Sequence, residues 1–342
     1  MAFINFQPKD YFNTKLYTGN GSNSHAITGV GFEPSFVWIK DRTNSYDHCA
    51  FDQPRGVSQR IYPNNAQVQS TDNDNLVSFD SDGFTVDDNG ITNHNGYNFV
   101  SWNWKANGAG SSNTDGSITS TVSASTTSGF SIVTWTGNSG SIGHGLGKKP
   151  AMLITKSLGA TGGWYVTHKS LSAEMQDNYM FLNDTSANST NNDIWCGEPT
   201  TSTFSVGSGL IGNTTHVAYC FAPIKGFSAM GSYTGNGNAD GAFIYTGMSP
   251  ALVILKNSAT TDSWVMFDNK RPNPYNVIGS ILQPNTNIAE TANSAFNIDF
   301  VSSGFKIRGT DSAVNASGGS YIYMAFSDQS IVSSNGVPAV AR

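Results

Sequence analysis

"GFEPSFVWIK" stands at residues 31–40, and two later stretches repeat its plan: "GKKPAMLITK" at 147–156 and "GMSPALVILK" at 247–256. Each has a glycine, a proline three residues on, a mostly apolar run, and a lysine six residues after the proline: Pro34 and Lys40, Pro150 and Lys156, Pro250 and Lys256. The run is apolar at both alternating phases, the pattern of a strand buried on both sides. Proline at its head can open a strand without removing a ladder hydrogen bond. Lysine at its end is placed to snorkel, with its stem on apolar surface and its charge in water.

Working outward, "YTGNG" (17–21), "WTGNS" (135–139) and "YTGNG" (233–237) precede the three stretches. "FDSDGFTV" (79–86), "TSTFSVG" (201–207) and "FVSSGFKI" (300–307) follow them, and then "YNFVSWNWKA" (97–106), "THVAYCFAPI" (215–224) and "SYIYMAFSDQ" (320–329). The same blocks in the same order three times mark a tandem repeat. A further block matches around Asp52 and Asp268, with His168 in the corresponding place. Gly19, Gly137 and Gly235 head the Thr-Gly-Asn turns; glycine and asparagine tolerate positive φ, so each turn is expected to be an opening hairpin with the preceding Tyr or Trp beneath it. In the last block Val100, Trp102 and Trp104 alternate with Ser101, Asn103 and Lys105, so one face is expected on a core.

Charged residues make up only 12% of the 342, aromatics another 12%, and there are 36 glycines. Only four glutamates occur, and no long stretch has helical apolar spacing, so the fold class is all-β. The expected architecture is three tandem β-sandwich, jelly-roll-like repeats of about 100 residues, each large enough for its own core. They span 1–106, 117–225 and 226–330, with a flexible linker at 107–116 and a tail at 331–342. "SITSTVSA" (117–124) alternates enough to add a strand. No apolar run approaches the ~20 residues of a membrane span, and no secretory signal is visible. Cys49, Cys196 and Cys220 are too few and too scattered for a disulfide framework and read as buried thiols. A net charge of −6 without a basic stripe argues against nucleic acid as a partner.

Catalytic and metal motifs fail on spacing. In "GSIGHGLGKKP" (140–150) Lys148 is followed by Lys149 where a phosphate loop needs Ser or Thr. The Asp-rich 72–88 stretch lacks the closing Glu of a calcium loop, so Asp82-Gly83 reads as a hairpin turn. His25, His48, His94, His144, His168 and His216 form no His-x-x-x-His or Cys-x-x-Cys set. The chain is therefore expected to be no enzyme, with no cofactor and no metal. Tryptophans could stack on sugars, with one or two expected to be exposed. The better ligand candidates are loop residues that differ between repeats: Asn64, Asn65, Tyr179, Asn191, Asn192, Trp195, Asn273 and Tyr275.

The blocks, together with "GSITSTVSA", "GFSIVTWTGN" and "NASGGSYIYMAF", resemble a family of repeat proteins of tailed bacteriophages of marine bacteria, cyanophages and pelagiphages among them. The resemblance runs from about residue 6 to 329. It implies a virion structural protein assembled in the host cytoplasm, on the phage tail as a fibre or tail-associated adhesin for host attachment, with a surface glycan as ligand. Partners would be other virion proteins and further copies of the chain, a trimer being the fibre precedent. The alternatives are a capsid or tail decoration protein and, further off, a polysaccharide depolymerase. The resemblance carries no catalytic residues.

Overall fold

The computed structural model describes residues 4, 6–271 and 276–329. Every repeat builds an antiparallel inner sheet on the same four strands in one order, leading strand, closing strand, Pro–Lys strand, flank strand; these are the whole sheet in units 1 and 3 and the middle of an eight-stranded sheet in unit 2. In unit 1 these are Phe12–Thr18, Asn98–Trp104, Phe36–Asp41 and Cys49–Asp52. In unit 2 they are Phe130–Thr136, Thr215–Phe221, Met152–Ser157 and Tyr165–His168. In unit 3 they are Ser228–Thr234, Ser320–Phe326, Leu252–Asn257 and Val265–Asp268. A smaller outer sheet accompanies each: His25–Thr28, Gly83–Val86 and Leu76–Asp80; Gly140–Gly143 and Thr203–Val206; Phe243–Tyr245, Gly304–Ile307 and Ile298–Val301. The fold is all-β.

Alternation sends the two faces of each inner sheet into different cores. Val37, Ile39 and Phe99 face a core private to unit 1, as Leu153 and Cys220 do in unit 2 and Val253, Leu255 and Ala325 in unit 3. The opposite phase enters one core common to the whole chain: Phe36, Trp38, Trp102 and Trp104 meet Met152, Ile154, Tyr219 and Phe221, and both meet Leu252, Ile254, Met324 and Phe326. Rings cross every boundary, with centroids 4.3 Å apart for Phe36 and Tyr219, 5.8 Å for Phe221 and Phe326, and 5.3 Å for Phe12 and Phe326. The doubly apolar Pro–Lys runs are thus explained, and the units are not self-sufficient sandwiches. The closing strand departs from expectation: Ser101 and Asn103 are buried as well, with Asn103 Nδ2 donating to the Asn13 carbonyl and to Ser101.

The units close into a ring. The carbonyl two residues past each repeat lysine accepts a backbone N–H from the preceding unit: Gln69 to Leu158, Asn188 to Ser258, and Glu290 back to Arg42, at 2.9–3.0 Å. The residue just before each flank strand repeats the closure. Trp164 Nε1 donates to the Tyr62 carbonyl, Trp264 Nε1 donates to the Phe181 carbonyl, and the His48 ring lies beside the Gln283 carbonyl.

Other sequence expectations change. Lys40, Lys156 and Lys256 do not snorkel: all three are fully buried, and each Nζ donates to the carbonyls one and four residues on, tying off the turn after the strand. Burial pushes each ammonium down to about 8. The segment expected as a flexible linker carries a strand, Ser111–Asn113, paired with Ser120–Ser125, which in turn extends the unit 2 sheet beside its leading strand. The Thr-Gly-Asn turns are crossovers from inner to outer sheet, not hairpins. Tyr17 and Tyr233 do brace them, donating to the Thr92 and Val314 carbonyls. Gly19 and Gly235 are needed for close approach: a Cβ would stand 2.2 Å from the His94 carbonyl oxygen and 2.4 Å from that of Ala316. Gly137 alone of the three has positive φ, at 116°. The tail at 331–342 lies outside the described residues.

Gly19→Val or Gly235→Val should destabilise the protein by about 3 kcal/mol or more, since backbone must move to admit the side chain. Because the core is common, calorimetry of either variant should show one lowered transition for the whole chain; three separable transitions would contradict the shared core.

Candidate functional site

The groups with most chemical potential are spent at the unit junctions. Asp52 ends the unit 1 flank strand, binds Arg55 Nε at 2.7 Å and accepts the Tyr219 hydroxyl of unit 2, also at 2.7 Å. Asp268 repeats this in unit 3, with Arg271 Nε at 2.6 Å and Trp102 Nε1 of unit 1 at 3.1 Å. Unit 2 has His168 at this position, facing unit 3, where Met324 replaces the donor side chain. His168 reverses the polarity: its Nδ1 accepts from Ser170 N, so the proton sits on Nε2, which pairs with the Tyr323 carbonyl at 3.2 Å. Leu171 stands where Arg55 and Arg271 stand, since no carboxylate is left to pair. These are buried ion pairs and hydrogen bonds that fix the ring; an acid–base pair open to substrate is not among them.

Three other histidines, His48, His144 and His216, are also buried and tied down. His48 Nδ1 accepts from Trp38 Nε1 at 2.9 Å and His144 Nδ1 from Leu146 N at 3.2 Å, while His216 stacks on Trp135 with centroids 5.2 Å apart. Burial lowers all four: His48 well below the ordinary value, His144 and His216 below it, and His168 to about 3. Among the described residues no three His, Cys, Asp or Glu side chains converge as a ligand set. Asp82 does lie in a hairpin turn, and its carboxylate accepts the Gly29 and Gly31 N–H groups at 2.9 and 2.7 Å. Cys49 and Cys220 are buried thiols pushed up to about 12, whereas Cys196 is exposed, contrary to expectation.

The sequence-predicted ligand residues scatter. Asn64 is almost buried and its Oδ1 accepts from His48 N at 2.8 Å; Asn183 and Asn285 do the same for Trp164 and Trp264, so it is a repeat feature. Asn65 holds Asp47 beside it. Tyr179 packs between Tyr165 and Phe181 at the edge of the unit 2 core. Asn191 and Asn192 are exposed in one loop, Asn191 Oδ1 accepting from Asp193 N, but the nearby Trp195 is only 2% exposed and packs inside. Asn273 and Tyr275 lie outside the described residues. All seven tryptophans are buried, so the one or two sugar-stacking tryptophans expected from sequence are not offered to solvent.

Among the described residues, two open surfaces stand out. A groove of about 630 Å³ on unit 1 is lined by Phe6, Asp10, Tyr11, Phe32, Glu33 and Lys105, with Lys105 Nζ 5.9 Å from the Tyr11 ring centre. On unit 3 the outer-sheet strand Phe243–Tyr245 turns Ile244 inward and leaves Phe243 and Tyr245 at 51% and 70% exposure, the most exposed large apolar side chains among the described residues. The buried isoleucine is common to the units (Ile27, Ile142, Ile244), but its neighbours are Ala26 and Thr28 in unit 1 and Ser141 and Gly143 in unit 2. The signal was readable in "GAFIYTG" (241–247), once that block was aligned with the corresponding outer strands of the other repeats.

A family model described as a domain of unknown function, DUF7483, matches residues 7–330. The chain belongs to that family. No curated protein and no solved structure matches it.

The buried histidines set an acid limit on the ring. Each is held neutral when folded, while an unfolded histidine takes a proton near pH 6.5, so acid favours the unfolded chain. Their stabilisation is complete above about pH 6.5 and is lost as pH falls, for His168 down to about pH 3. At pH 5 His168 alone should cost about 2 kcal/mol, against which the raised Asp41 acts in the opposite sense. The melting temperature should therefore fall between pH 7.5 and 5, and His168→Asn should narrow that difference. Breaking a junction pair is more severe: Asp52→Ala takes from buried Arg55 the carboxylate it pairs with and should cost about 3–5 kcal/mol in denaturant titration.

Proposed function

We propose that the chain is a structural protein on the surface of a tailed-phage particle, a tail fibre or tail-associated adhesin that contributes to host attachment through surface glycans. The observation that carries the reading is the closed ring of three homologous β units in one chain. Symmetric appendages require rigid bodies with matching symmetry, and here a single chain supplies the threefold arrangement that three separate subunits would otherwise provide. Copies of the chain would then meet through its outer faces or stack through its ends. Burial of all seven tryptophans and the tying of Asp52, Asp268 and His168 into junctions support a structural and binding role over catalysis. The same ring favours one second reading, a decoration protein seated on a threefold position of the capsid or tail.

The test is purification of the particle, mass spectrometry of its proteins and cryo-EM location of this chain. The expected result is stoichiometric incorporation at the tail periphery. A capsid position would replace the adhesin reading with decoration, and absence from purified particles would defeat both.

A further inference from the structure

We propose that Phe243 and Tyr245 form a sugar-stacking platform on the outer face of unit 3, and that its ligand is a neutral, hydroxyl-rich pyranose chain. This deepens the attachment reading and rests on it for the ligand's biological source. Three observations carry it.

The rings are seated. A Cβ built on Gly304, the residue directly opposite Tyr245 on the neighbouring strand, would stand 3.2 Å from Phe243 Cε2. A Cβ on Gly247 would stand 3.5 Å from the Tyr245 hydroxyl and 3.7–3.8 Å from its ring carbons. Each ring thus has a glycine against part of it, where a larger residue would crowd it, while the two residues stay 51% and 70% exposed. Residues two apart on a strand lie roughly 6.6 Å apart on one face, so the rings can serve successive sugars of a chain. An aromatic face supplies apolar area for the C–H face of a pyranose with little side-chain entropy to lose.

The rim supplies fixed hydrogen-bonding groups. Lys306, directly across from Phe243, binds Asp240 at 2.6 Å, and Arg308 Nε binds Asp299 at 2.6 Å. Asp240 is largely exposed, with its carboxylate held below the usual range first by the Lys306 hydrogen bond. Two cations and two carboxylates cancel, which favours a neutral ligand bound through hydroxyls over an anionic one. The exposed apolar area is two side chains on one three-residue strand, whereas a stable protein interface takes roughly 20–30 residues a side.

The feature is confined to one unit. Packing keeps Ile27, Ile142 and Ile244 alike, yet only unit 3 places aromatic rings on either side of that isoleucine. A demand of the fold would have applied to all three.

The test uses the full chain against immobilised neutral hexasaccharides of glucose, mannose and galactose, with saturation-transfer NMR on any that bind. Binding should saturate, transfer should be strongest to ring C–H protons, and Phe243→Ala/Tyr245→Ala should weaken binding at least tenfold at unchanged melting temperature. Tyr46→Ala, at another exposed aromatic, should leave binding intact. No binding to any of these sugars, or binding indifferent to the double substitution, overturns the platform. So does a concentration-dependent dimer that the double substitution abolishes, since the face would then be a protein interface. Absence of the chain from purified particles would defeat the attachment reading while leaving a positive sugar result standing.

Discussion

Everything in this structure depends on the inner sheets having two apolar faces. A sheet in an ordinary sandwich buries one side against its partner and wets the other. Here the outer sheets cover one side only, and the residues of the other, Trp38, Trp102, Ile154, Tyr219, Ile254 and Met324 among them, find shelter only against one another. Three such faces satisfy each other by enclosing a common core, which makes each unit's stability conditional on the other two. That constraint is why every junction repeats the same backbone bond, from loop to the residue two beyond the buried lysine.

The ring shows how one geometry accepts two chemistries. At two junctions a flank-strand carboxylate, neutralised by Arg55 or Arg271, receives a proton donor from the next unit. At the third, Met324 has no proton to give. His168 then donates to a backbone carbonyl, and Leu171 replaces the arginine. Hydrogen-bond polarity changes as a set because each of these groups is too buried to stand unpaired. Duplication followed by such coordinated change would leave the interior fixed and the exteriors free to differ. The difference lies outside: Phe243 and Tyr245 stand where the other units carry Ala26 and Thr28, or Ser141 and Gly143.

Much of the fold was legible because strand periodicity is local. The Pro–Lys runs declared their double burial, and the recurring blocks placed three units in order. The candidate surface was legible only in part. Loop asparagines looked variable because the loop between His48 and Asn64 differs in length from those between Trp164 and Asn183 or Trp264 and Asn285, which hid a repeated bond to the strand ahead. Tryptophans suggested ligand contact, but large rings are also the best fillers of a wide core, and sequence does not say which demand they meet.

The sequence by itself determined the all-β class, the threefold repetition, and which strands must be covered on both sides, since each follows from residue type and alternation along the chain. Tertiary structure alone decided what does the covering. Whether a second apolar face meets another sheet of its own unit, a neighbouring unit or another molecule is a matter of contacts between residues far apart in sequence. Here those contacts close on themselves, which turns lysines expected at the surface into buried ties and leaves Phe243 and Tyr245 outside.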